Sequence, residues 1–95
     1  MSESIDELSV SYFEDGVETV KELDKKILSK GAWTTIIFKL QDWNKAKSDY
    51  GPVKFSIRRY QKRNGVFVQR SKFNISSADQ ATKIIEALSG WLAES

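Results

Sequence analysis

Residues 32–43, reading AWTTIIFKLQDW, separate into two faces with a period of two, the repeat of a half-buried β-strand. Thr34, Ile36, Phe38 and Leu40 make one stripe, which reads as core. Trp33, Thr35, Ile37, Lys39, Gln41 and Trp43 make the other. The second stripe is too polar at its centre to be buried, yet it has a Trp at each end. The pattern commits the chain to a sheet with one covered face.

The flanking segments support that architecture. Asp15-Gly16 is a turn signal between Val10, Tyr12 and Val17, Thr19, Val20. Residues 17–28 admit a helical or a strand reading, and their Val and Thr content and short span favour the strand. Residues 44–52 form a polar loop ending in Gly51-Pro52, with the only proline. Residues 53–62 alternate again, with Val53, Phe55 and Ile57 opposite Lys54, Ser56, Arg58, Tyr60 and Lys62. Asn64-Gly65 then turns the chain back through residues 66–75.

The register of that hairpin follows from keeping apolar and polar faces apart. A two-residue Asn64-Gly65 loop sets Ile57 against Lys72 and mixes the faces. A three-residue Arg63-Asn64-Gly65 loop with a bulge at Gly65 pairs Phe55 with Phe73 and Arg58 with Arg70. The expectation is the three-residue loop. After it, Ser77-Ala78-Asp79-Gln80 has the form of a capping box. Ala81, Ile84, Ile85, Leu88 and Leu92 then line one helical face. The predicted fold is α+β: a twisted antiparallel sheet of about four strands with one C-terminal helix packed on one face. Residues 1–15 read as an acidic, partly ordered segment, and 16–95 as a single domain.

The charge is not evenly spread. Of fifteen Lys and Arg, eleven lie in residues 30–75, where Asp42 and Asp49 are the only acids, giving +9. Residues 1–29 carry −5 and residues 76–95 carry −2, so the net +2 conceals a basic middle between acidic ends. All three Trp lie in or beside that middle or at the helix end. Basic side chains interleaved with exposed aromatics suit a polyanion with stackable faces. The hairpin register places Arg58, Lys54, Lys62, Arg70 and Lys72 on one face with no carboxylate. Like charges so placed repel, and an external anion would relieve them. The acidic leader would then be able to fold onto that face and compete with nucleic acid.

Composition narrows the alternatives. The chain has no His and no Cys, which removes the commonest general base, thiolate chemistry and the usual metal ligands. No Gly-rich phosphate loop or nucleophile elbow is present. Neither an enzyme nor a metal or cofactor site is expected. No apolar run approaches the roughly 20 residues of a membrane span, and the N-terminus is acidic rather than signal-like. An intracellular protein is expected, cytoplasmic or associated with the nucleoid or nucleus, with no membrane partner.

Four strands and a C-terminal helix, with Ile57-Arg58-Arg59-Tyr60, a Gly-containing hairpin, Arg70-Ser71-Lys72 and Ser76-Ser77 in that order, resemble the positive cofactor four family. These are transcriptional coactivator-type proteins that bind single-stranded DNA. The likeness spans roughly residues 23–92. It implies a homodimer joined through the helices and curved sheets presenting basic and aromatic ridges to unpaired strands. Arg58, Tyr60, Arg70 and Lys72 inherit binding roles from it by position, and Lys39 less directly. The long 44–52 loop and the acidic leader depart from the family pattern.

Together these readings predict sequence-tolerant binding of single-stranded DNA, or RNA, in transcription, replication or repair. Lys39, Lys54, Arg58, Lys62, Arg70 and Lys72 would contact phosphates, and Tyr60, Trp33 and Trp43 would stack bases. Two other classes compete. One is a protein-interaction module docking an acidic partner on the same face. The other is a small enzyme using Asp42 or Asp49 beside lysines.

Overall fold

A computed structural model describes residues 5–94. The first four residues of the acidic leader lie outside the described part. A 3₁₀ turn (Ile5–Glu7) precedes strands β1 (Tyr12–Glu14), β2 (Val17–Ser29), β3 (Trp33–Asn44), β4 (Asp49–Tyr50), β5 (Lys54–Arg63) and β6 (Val66–Ile75). Helix α1 (Ala78–Ala93) follows. The fold is α+β, a curled antiparallel half-barrel with one C-terminal helix.

The sheet has more strands than the expected four. Its order is β1-β2-β3-β5-β6, with the two-residue β4 pairing only the end of β3. Residues 17–28 are strand, as their β-branched content indicated. The extra strand β1 arises because Asp15 and Gly16 both take positive φ, 52° and 81°, which suits a tight two-residue hairpin. Curling has a local cause. The pairing of β2 with β3 skips Leu23 and Leu28, and each extra residue bends and twists the strand.

The β5–β6 hairpin corrects the expected register. Asn64 and Gly65 have φ of 52° and 79°, and Arg63 pairs directly with Val66, so the loop has two residues. Farther along, Tyr60 pairs Gln69 while Arg59 pairs Ser71, which leaves Arg70 as an extra residue in β6. The bulge at Arg70 does what the longer loop was expected to do. It restores the parity of the faces, so Ile57 meets Phe73 and Arg58 meets Lys72 rather than Arg70.

The core lies on the side named by Thr34, Ile36, Phe38 and Leu40, all buried. Across β5, these residues pair with Tyr60, Arg58, Ser56 and Lys54 respectively. The set expected on the open face of β5 therefore shares the core side, and Phe55 and Ile57 are on the other. The inner face is closed by the N-terminal segment rather than by the helix. Leu8 and Val10 join Ile36, Phe38, Leu40, Tyr60 and Phe67 in one buried cluster, with Ile5, Val20 and Ile27 packed against it. Burying two such side chains stabilises the fold by about 1.5–3 kcal/mol each.

Lys25 fixes that segment. Its Nζ donates to the carbonyls of Ile5, Asp6 and Leu8 at 3.0, 3.1 and 2.8 Å. Ser9 donates to Glu22 at 2.7 Å beside it. The two fully buried hydroxyls are also satisfied, Thr34 by the Gly31 carbonyl and Ser56 by the Asn74 side chain.

Helix α1 starts where the sequence indicates. The Ser77 hydroxyl accepts from the Gln80 amide at 3.1 Å, and the Gln80 side chain returns to Ser76, accepting from its backbone N–H at 2.9 Å. The expected packing of this helix over the sheet is not found. Its contacts with the sheet are slight and centre on β6, and every residue from 85 to 94 is exposed. With the inner face already filled by Leu8 and Val10, the helix has no core on that side to cover.

Candidate nucleic-acid interface

Strand alternation and pairing define the outer face as a set of cross-strand rows. At one end, Trp33 pairs Gln61, and Thr35 pairs Arg59, which in turn pairs Ser71. The next rows are Lys26–Ile37–Ile57–Phe73 and Asp24–Lys39–Phe55–Ile75. Beyond them Lys21 pairs Gln41, and Trp43 pairs Tyr50.

The Trp33 end is basic, aromatic and open. Trp33 is 41% exposed, and the Arg59 guanidinium carbon lies 4.5 Å from its ring centroid. This is a cation–π arrangement that also holds a planar guanidinium on the surface. Arg70 joins them because its bulge position lets Nε donate to the Gln61 side chain at 3.0 Å. Lys26 and Lys39 continue the positive charge along the same face, and Asp24 is the acid in those rows. Cations and an exposed aromatic ring are thus within one strip.

The nine predicted residues are divided between the two faces. Trp33, Lys39, Trp43 and Arg70 are outer. Lys54, Arg58, Tyr60, Lys62 and Lys72 are inner. Tyr60 is a core residue, 5% exposed, and so presents no ring for stacking. Desolvation by burial raises the pKa of its hydroxyl, and the charge and hydrogen bond of Arg58 oppose that rise. Arg58 is engaged locally, donating to Ser56 at 3.3 Å and to Gln69 at 3.2 Å.

The inner face also has carboxylates, contrary to the expectation of none. Lys54 pairs with Asp42 at 2.9 Å, and Glu22 lies opposite Leu40. Both acids come from strands whose register was not argued from the sequence. Lys62 extends over the Phe67 ring at 5.5 Å, and Lys72 is exposed near the sheet edge.

Trp43 has a structural setting. Its ring meets Tyr50 edge-on at 5.1 Å, Lys21 lies over Tyr50, and the Tyr50 hydroxyl donates to the Glu18 carbonyl. These contacts fasten the 44–52 loop to the sheet.

Sequence reasoning missed Arg59, Gln61, Lys26 and Phe73. The signal for Arg59 was present, since it alternates with Ile57 and so shares the face opposite Arg58. Val53, Phe55 and Ile57 mask that signal, because they make the same face look like core.

Among the described residues no group of three or more potential His, Cys, Asp or Glu ligands forms a metal site, and no helix is long and apolar enough to cross a membrane. Comparison with protein-family models, with curated proteins and with solved structures finds no match to this chain.

Proposed function

We propose that this protein binds single-stranded nucleic acid, DNA or RNA, with little sequence preference, at the Trp33 end of the outer face. The observation that carries this reading is the Arg59–Trp33 stack beside Arg70, an exposed planar pair among cations. Unpaired bases offer π faces to such a surface, and their phosphates meet Arg59 and Arg70. A duplex reader would more often place a basic helix in the major groove, and α1 has Lys83 as its one basic residue.

The resemblance to the positive cofactor four family supports the same ligand class and a role in transcription, replication or repair inside the cell. The binding residues differ in part from those the resemblance implies, because Tyr60 is in the core. The exposed apolar stripe of α1 favours a homodimer that uses this helix. The protein acts by binding and is not assigned a catalytic step.

The deciding experiment is fluorescence anisotropy of labelled oligo-dT against a matched duplex over a salt series. Two phosphate contacts give a log–log salt slope of about −1.4 for a single strand. Tighter, salt-dependent binding to oligo-dT is expected. Equal or no binding to both, together with salt-sensitive capture of a poly-glutamate peptide, would replace this reading with a module for an acidic protein partner.

A further inference from the structure

Two apolar surfaces of this chain remain partly open. One is the helix stripe, where Ile85, Leu88 and Leu92 are 62%, 51% and 73% exposed. The other is the middle of the outer face, where half-buried Ile37 and Ile57 form a row with Phe73 across three adjacent strands, and half-buried Phe55 is in the next row, which ends at the buried Ile75. Phe73 is 53% exposed. A cleft of about 200 Å³ opens between this patch and β2, lined by Asp24, Lys26, Ile37, Lys39 and Phe55 among others.

We propose that the two surfaces cover each other between two copies: α1 of one chain lies across the Ile37–Ile57–Phe73 patch of the other, and the exchange is reciprocal. This specifies the partner surface for the homodimer proposed above and rests on that part of the reading. It does not depend on nucleic-acid binding.

Shape and charge both point to a second copy as the occupant. A helix of 16 residues is about 24 Å long, whereas three strand spacings from β2 to β6 cover about 14 Å. The helix can therefore cross the whole patch. Residues 76–95 carry −2, through Asp79, Glu86 and Glu94 against Lys83. The patch is bordered by Lys26 and Lys39 with one acid, Asp24. An acidic amphipathic helix thus meets an apolar surface with a net positive rim.

The chain also departs in the right direction. Ile75, the last residue of β6, is in the outer-face row of Phe55, and α1 begins three residues later. Each helix leaves from the rim of the face that it needs to reach on its partner. A two-fold arrangement satisfies both copies at once and closes the assembly. Trp33 is four residues along β3 from Ile37, about 14 Å, so each docked helix leaves the basic end open. The dimer would present two such ends.

The absence of Cys from the sequence makes a cross-linking test clean. Full-length Leu88→Cys and Phe73→Cys variants are mixed, oxidised and analysed on non-reducing gels, with wild-type mass measured by sedimentation equilibrium. The expected result is a wild-type dimer and a mixed-variant cross-link between positions 88 and 73. Leu88→Glu and Phe73→Glu should each give a monomer with unchanged far-UV circular dichroism. A dimer without the 88–73 cross-link, including one in which Leu88→Cys links only to itself, overturns the helix-on-sheet arrangement and leaves the homodimer standing. A monomeric wild type at concentrations near 100 µM overturns both, and oligo-dT binding is read separately in either case.

Discussion

The guanidinium carbon of Arg59 sits 4.5 Å from the centroid of the Trp33 ring, across the outer face of the sheet. The two residues come from adjacent strands and are one row apart, Trp33 opposite Gln61 and Arg59 opposite Thr35. An exposed indole held by a cation is both flat and pre-ordered, so a base that stacks there loses little additional side-chain freedom.

Trp33→Ala should therefore weaken oligo-dT binding by about 1–3 kcal/mol, the range for one base–aromatic stack. Trp43→Ala should have little effect on affinity, because its ring is committed to Tyr50 and the 44–52 loop. Anisotropy titrations of the two variants, side by side, check the contrast. Equal losses in both would remove Trp33 from its assigned role.

Cations on the two faces should differ in their salt signature. Arg70 is exposed and joined to the Trp33 end through Gln61, whereas Lys54 is paired with Asp42 on the inner side. Arg70→Ala should lower the magnitude of the log–log salt slope by about 0.7, the contribution of one single-strand phosphate contact. Lys54→Ala should leave the slope unchanged. A lower slope for Lys54→Ala alone would move the interface to the inner face.

Local patterns in the sequence carried much of the fold. The Thr34–Leu40 stripe was legible because strict alternation has one physical reading. The helix start at Ser77 was legible because a hydroxyl and a Gln three residues apart satisfy free backbone groups. What failed was parity. Asn64-Gly65 suits a two-residue turn, but that turn alone mixed the faces, and a bulge six residues away at Arg70 has no composition of its own to announce it. The site followed the same error. With Phe55 and Ile57 as core, alternation puts Arg58 and Tyr60 on the surface and Arg59 on the buried side. Leu8 and Val10 were hidden for another reason: two apolar residues among acids and serines have no periodicity, and only the curled sheet supplies the cavity that they fill.

That filling makes the N-terminal segment a stability element. Leu8 is 5% exposed within the main core cluster. Leu8→Ala should cost about 2–5 kcal/mol, as for other buried leucines. Lys25→Met should also destabilise, since it leaves the carbonyls of Ile5, Asp6 and Leu8 without their common donor. Urea unfolding gives both values from the midpoint at constant slope. Unchanged midpoints in both variants would mean that the segment is a dispensable cover on the inner face.

Tyr60 adds a pH dependence to stability at the alkaline end. Desolvation in the core raises its pKa above the ordinary value of 10.0, with Arg58 pulling the other way. The folded state therefore holds this proton more tightly than the unfolded chain. Its contribution is fully present below the unfolded pKa near 10 and is lost as pH rises through the higher folded value, because the unfolded state ionises first. Tyr60→Phe cannot ionise, and its urea midpoint should fall less steeply than that of the wild type as pH rises above about 10. At pH 7 the variant should be slightly less stable, having lost the hydroxyl that meets Arg58. Parallel pH profiles for the two proteins would show that the Tyr60 hydroxyl has the same proton affinity folded and unfolded, and that burial there is offset in full by Arg58.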